Sequence, residues 1–178
     1  MANKTNRKFI GVDVGGTNIT AAMAMESGEI TSRAKQKTPR DCEASEVIKE
    51  ISATIEQLIK SDDAKASDVA GIGIGIPGVV DPKSGIVTAA PNIALKGAHL
   101  GDELKDKFDA PVILGNDVNV GTIGECWLGA GRDADSVVGI FIGTGIGGGV
   151  VQDRRLVTGS HNAAGEIGHI VMETNGPI

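Results

Sequence analysis

Three segments of this sequence set reactive or ligand-binding residue types beside sharp chain reversals. The first is Asp13-Val14-Gly15-Gly16-Thr17. Glycine turns leave backbone N–H groups unshielded, and several N–H groups pointing into one concavity bind phosphate oxygens. A carboxylate that closes a buried strand beside such a turn suits Mg²⁺ held through water, which makes Asp13 the candidate metal-side residue. A second turn, Gly143-Thr144-Gly145, repeats the pattern of the first. Two such turns can grip one polyphosphate. Neither is a Walker P-loop, because no Gly-Lys-Ser/Thr follows, and neither fits the dinucleotide fingerprint, which needs a helix after the glycines. A tight hairpin without a ligand is the other reading that a lone Gly-Gly-Thr permits.

The second segment is Asn116-Asp117, after an apolar run and before a helical pattern. Such a pair caps a helix, satisfying its free N–H groups. At the end of a strand facing a cleft it can also work on a substrate, the carboxylate accepting a hydroxyl proton while the amide holds a neighbouring hydroxyl. The third is Gly165-Glu166-Ile167-Gly168-His169. In a strand, Glu166 and His169 would point to opposite faces, so joint work at one site requires the bend that Gly168 allows. His99 and His161 read as structural, and Cys126 as core filling in its helix.

The elements that must position these residues follow from periodicity. Lys8–Val14 reads as a strand, and the alternation of Ile19, Ala21 and Met23 after the Gly-Gly turn makes a hairpin, with a third strand over 29–38. Val47, Ile48, Ile51, Ile55, Leu58 and Ile59 recur at helical steps. Val69–Ile76 is a buried strand ended by Pro77-Gly78, and residues 81–85 form a turn. A short helix over Leu100–Phe108 leads to a strand at 112–114. Val120, Ile123, Trp127 and Leu128 mark the apolar face of a further amphipathic helix. Strands over 136–142 and 149–151 flank the second glycine turn, and 167–172 is expected as a last strand. The mixture is that of an α/β protein. The two strand–glycine turn–strand segments echo each other, which suggests two related lobes, 1–116 and 117–178, facing one ligand.

Composition narrows the function classes. The chain has 178 residues with 26 glycines, in runs rather than a Gly-X-Y period, which excludes collagen. A formal net charge of −6 offers no field for a polyanionic duplex or an anionic membrane, so no nucleic-acid partner is expected. The uncharged run over 136–152 is broken by glycines and reads as two strands rather than a membrane span. No secretory signal is legible, a cytoplasmic location is expected, and Cys42 and Cys126 read as free thiols.

Taken in order, Asp13-Val14-Gly15-Gly16-Thr17, Gly75-Ile76-Pro77-Gly78, Pro91-Asn92, Gly115-Asn116-Asp117-Val118-Asn119 with Gly124-Glu125, Gly143 to Gly149, and Gly165 to His169 resemble the motifs of the ROK sugar kinases. The glucose-phosphorylating bacterial members are the most similar. The resemblance covers nearly the whole chain, and its strength lies in the order of the motifs. It implies an actin-like, duplicated ribonuclease-H-type ATPase fold, with ATP and Mg²⁺ between two lobes and a hexose beside the γ-phosphate. Asp117 then resembles the catalytic base that takes the proton of the sugar 6-hydroxyl. Asn92, Asn116, Glu166 and His169 resemble hydroxyl ligands, and Gly78 lies in the loop that approaches the sugar. Gly15, Gly16 and Thr17, with Gly143, Thr144 and Gly145, resemble the two phosphate clamps. A homodimer is expected from the same likeness.

One departure lies at the end. In the family, His169 would be followed downstream by a Cys-x-Cys-Gly-x-x-Gly-Cys zinc motif, which this sequence does not contain before Ile178. His169 alone does not complete a four-ligand zinc site. The chain is therefore expected to be the first lobe and the opening of the second. Competing readings are an N-acetylmannosamine kinase, a polyphosphate-using glucokinase, a sugar-responsive regulator and a non-catalytic sugar-binding module. The regulator is disfavoured by the short stretch before Asp13 and by the negative charge.

Overall fold

In β1 (Lys8–Val14) and β2 (Asn18–Met25) the side chains alternate between faces. Ile10, Val12 and Val14 of the first strand and Ile19, Ala21 and Met23 of the second are buried together. β3 (Ile30–Lys37) pairs antiparallel with β2. The helix α1 (Ala44–Ser61) lays Val47, Ile51, Ile55 and Leu58, all fully buried, on these strands. This is the 3.6-residue stripe of the sequence meeting the two-residue period of a sheet. The computed structural model describes residues 7–143, 145–171 and 173.

β4 (Val69–Ile76) runs parallel to β1 on its other side and is buried through Ile72, Ile74 and Ile76. β5 (Val79–Asp81) and β6 (Ile86–Ala89) form a separate two-stranded hairpin. Its turn is closed by the Gly85 N–H donating to the Asp81 carbonyl at 2.9 Å. α2 (Leu100–Phe108) follows, buried through Leu100, Leu104 and Phe108, and leads into β7 (Val112–Asn116). β7 pairs parallel with β4, so the five-stranded sheet has the order β3-β2-β1-β4-β7.

α3 (Asp117–Trp127) starts directly at the end of β7. The remaining strands, β8 (Val137–Ile142), β9 (Ile146–Gln152) and β10 (Arg155–Leu156), form a three-stranded antiparallel sheet in the order β10-β9-β8. Asp153 and Arg154, both at positive φ, make the two-residue turn between β9 and β10, the backbone twist that tight hairpins favour. The chain divides into two compact units, Met1–Asp117 and Val118–Ile178.

The second unit packs by close approach rather than by bulk. A Cβ at Gly147 would run into the Val118 side chain, and one at Gly139 or Gly149 into the Thr122 hydroxyl, so α3 rests on a stripe bare of side chains. The expected apolar face of this helix is accordingly not the buried one: Asn119 and Thr122 are buried, whereas Val120, Ile123, Trp127 and Leu128 are exposed. Cys126 is half-buried rather than core.

The expected last strand over 167–172 is also corrected. Ile167–His169 is a 3-10 turn, held by N–H groups of His169 and Ile170 donating back to the Glu166 and Ile167 carbonyls at 3.2 and 3.3 Å. Gly165, at φ +85°, reverses the chain just before it. Ile170, Val171 and Glu173 are not in a strand, and Met172 lies outside the described residues. Among the described residues no helix is long and apolar enough to cross a membrane.

Candidate functional site

Strands β1, β4 and β7 are mutually parallel, so their C-terminal ends lie along one edge of the sheet. Register fixes what stands there: Asp13 is opposite Gly75, Gly75 is opposite Gly115, and Ile76 is opposite Asn116. The middle strand contributes no side chain at Gly75, where an added Cβ would lie 3.4 Å from the Asp117 Cα. The gap lets the two acidic residues sense each other. Loss of water around Asp13 raises its carboxyl above the ordinary value, and the charge of Asp117 raises it further.

Beside Asp13, the Gly15-Gly16-Thr17 turn is held from outside. The Gly15 N–H donates to the Asn18 carbonyl at 2.9 Å, and the hydroxyl of Thr38, itself buried, donates to the Gly15 carbonyl at 2.6 Å. The Thr38 N–H donates to the Thr17 carbonyl at 3.0 Å. Arg40, exposed, donates to the Thr17 hydroxyl at 3.2 Å and brings a cation to the turn. Sequence reasoning missed Thr38 and Arg40. Only the pairing of β2 with β3 returns the chain to the turn, so no local motif marks them.

The other wall comes from the loop after β4. Gly78 adopts φ +130°, and a Cβ there would collide with the Ala89 carbonyl. The Asn116 side-chain amide donates to the Gly78 carbonyl at 3.1 Å. Asn92 stands over the glycine turn, its Cβ and carbonyl each 3.7 Å from where a Gly16 Cβ would be. The first unit thus brings together Asp13, Gly15, Gly16, Thr17, Gly78, Asn92, Asn116 and Asp117.

The other expected site residues belong to the second unit. Gly143 and Gly145 turn the chain between β8 and β9, the Gly143 N–H donating to the Gly145 carbonyl at 2.9 Å; Thr144 lies outside the described residues. In a 3-10 turn residues three apart stack on one side, unlike in a strand. Glu166 and His169 do so, with His169 Nε2 3.9 Å from Glu166 Oε2. Among the described residues no group of three or more His, Cys, Asp or Glu side chains could hold a metal ion. Glu166 and His169 therefore do not fit a four-ligand zinc site by themselves.

Known proteins are similar to this chain in sequence and fold. The ROK family model matches residues 9–178. The glucokinase of Thermotoga maritima is 39% identical over 172 residues, covering 96% of this chain and 53% of its own. The xylose repressor of Caldicellulosiruptor bescii is 31% identical over 172 residues, covering 96% of this chain and 43% of its own. Among solved structures, a ROK family glucokinase from Streptomyces griseus in complex with glucose and AMPPNP superposes with a TM-score of 0.84 at 36% identity, over 95% of this chain and 52% of that one. The chain spans about half the length of the glucokinases it matches. The fold is of the actin-like, ribonuclease-H-like ATPase type that such kinases have. A family match over all but the first residues, with the motif residues gathered at the sheet edge, makes this chain a member of the ROK family.

Proposed function

We propose that this chain serves the ATP-dependent phosphorylation of a hexose, with glucose as the first candidate and glucose 6-phosphate as the product. The observation that carries the reading is the meeting of Asp13, the Gly15-Gly16-Thr17 turn and Asn116-Asp117 at one sheet edge. Phosphoryl transfer asks a protein mostly for positioning and charge stabilisation. Asp117 accepts the proton of the attacking hydroxyl. Asn92 and Asn116 line the sugar side with the Gly78 loop, and Glu166 and His169 add hydroxyl ligands from the second unit. The Gly15-Gly16-Thr17 turn binds phosphate oxygens through the backbone N–H groups of Gly16 and Thr17, assisted by Arg40, and the turn of Gly143, Thr144 and Gly145 is the second clamp.

Asp13, a carboxylate at the end of β1 beside the glycine turn, fits a hard cation, which takes one or two carboxylates together with substrate phosphates. Asp13 would hold Mg²⁺ through water, and the ion when bound supplies charge neutralisation on the phosphates. Zinc is expected only of a full-length family member, where His169 would hold it together with the cysteines of the family motif, which these residues do not supply. The proposal extends to a boundary between lobes at 116/117, a cytoplasmic location and a homodimer, as the family likeness suggests.

A coupled assay for glucose 6-phosphate with ATP tests the reading, run on this chain and on one extended to the length of the relatives. Asp117→Asn keeps the shape of the site and removes the proton acceptor, so kcat falls by about 10² or more while glucose binding persists. Near-normal kcat would reduce Asp117 to a helix cap. The likeness to a xylose repressor favours a second reading, in which sugar is bound without phosphoryl transfer. Glucose binding that neither needs nor consumes nucleotide would select it.

A further inference from the structure

Asn116 resembles a sugar ligand in sequence, yet its side-chain amide already donates to the protein. The acceptor, the Gly78 carbonyl at 3.1 Å, lies 38 residues back in the chain. Gly78 is in turn wedged against the Ala89 carbonyl in a backbone conformation that excludes any side chain. The next residue, Val79, pairs with Ala89 across the β5–β6 hairpin, and the Thr88 hydroxyl donates to the Val79 carbonyl at 2.9 Å. From Ala89 the chain passes through Ala90, whose carbonyl accepts from Ile93 N–H, to Asn92 above Gly16. A continuous line of contacts therefore joins the end of β7 to the residue that roofs the glycine turn.

We propose that Asn116 is a positioning residue: by donating to the Gly78 carbonyl it locks the β5–β6 hairpin and so sets Asn92 over the Gly15-Gly16 turn. Asn116 is the direct neighbour of Asp117, so one clamp holds the hairpin in register with the proton acceptor. A hexose between them meets Asn92 and Asp117 at a fixed separation. The functional meaning rests on the hexose reading above; the clamp itself rests on the geometry.

Nuclear magnetic resonance on the 178-residue chain tests the clamp without activity. In the wild type, one proton of the Asn116 side-chain amide exchanges slowly with solvent. Asn116→Ala and the isosteric Asn116→Asp, which cannot donate at neutral pH, both shift the Gly78 carbonyl carbon resonance upfield. Both also speed amide exchange over residues 78–92 by about fivefold, the size of one lost hydrogen bond. Protection in β2 and β3 stays unchanged and reports that the unit is folded. Gly78→Ala has the same effect on 78–92, and the double variant goes no further. A freely exchanging Asn116 amide in the wild type, which needs no variant to observe, overturns the proposal. So does unchanged exchange over 78–92 in Asn116→Asp. D-glucose added to the same samples separates the two readings. Slower exchange over 78–92 in the wild type but not in Asn116→Asp supports both, whereas glucose without effect on a clamped wild type counts against the hexose reading alone.

Discussion

The two units share a hairpin and differ in what covers it. Each contains a strand, a glycine turn and an antiparallel return strand, β1 with β2 in the first and β8 with β9, after α3, in the second. In the first unit β1 is flanked on both sides, by β2 and by β4, and the sheet is roofed by α1. The whole hydrophobic core cluster lies there, from Ile10 to Leu114. In the second unit β8 has β9 on one side, and Val138, Ile140 and Ile142 are 62%, 58% and 82% exposed. Local sequence thus sets the hairpin, whereas burial depends on which strands and helices are laid against it. A β-branched strand is core only where something covers it.

The largest effect that tests this contrast is a pair of equal deletions. Leu58→Ala in α1, at a fully buried position, should cost about 2–5 kcal/mol in urea unfolding. Ile142→Ala in β8 should change stability by no more than about 0.5 kcal/mol. Equal costs at the two positions would show that the second unit hides Ile142 in solution.

Acid sharpens the contrast within the first unit, because two of its carboxyls are shifted in opposite directions. The Lys8 ammonium donates to Asp62 at 2.6 Å, and this bond, helped by Thr31, holds the Asp62 carboxyl below its ordinary value. Its stabilisation is present above the unfolded carboxyl's pKa and is lost as pH falls through the lower folded value. Lys8→Met should therefore lower the midpoint temperature at neutral pH and flatten the acid limb. Asp13 has the opposite sign: raised by desolvation and by Asp117, its charged form costs stability at neutral pH. Asp13→Asn should stabilise the unit there, with the gain vanishing as pH falls through the raised value. A thermal series from neutral to strongly acidic pH checks both signs.

The smallest effect is kinetic. Trp127, the sole tryptophan, lies in the second unit and is 54% exposed, so its fluorescence follows that unit by itself. Few buried apolar contacts mean cheap local opening. Amides of β8 and β9 should exchange faster than those of β1 and β4, and iodide should quench Trp127 in the native chain. Uniform protection across both sheets would erase the distinction between the units.

These contrasts also mark what could be read before folding. The first hairpin, α1, β4 and α2 were legible because each has an apolar period matched by a partner within the chain. The face of α3 was not. Val120, Ile123, Trp127 and Leu128 have helical spacing, but periodicity reports a face fit for burial, and here close approach to glycine puts Asn119 and Thr122 inward instead. The segment from Ile167 has strand-like composition, yet the reversal at Gly165 and the backbone bonds that follow make Ile167–His169 a 3-10 turn. At the candidate site, Asp13, Asn116 and Asp117 stood out because carboxylates and amides at strand ends have few other uses. Thr38 and Arg40 did not, since their value comes from a contact 23 residues back in the chain.

The bare stripe under α3 has a consequence for variation. In a library of all single substitutions, tolerance normally tracks exposure, and the second unit, with its uncovered valines and isoleucines, should accept many changes. Gly139, Gly147 and Gly149 should be the exception. Each lies under Val118 or Thr122 with no room for one methyl group, so even alanine should be depleted at all three. The least permissive columns of this half would then be those with the smallest residue. A single compensating change above them, Thr122→Gly over Gly149→Ala for example, should recover part of the loss.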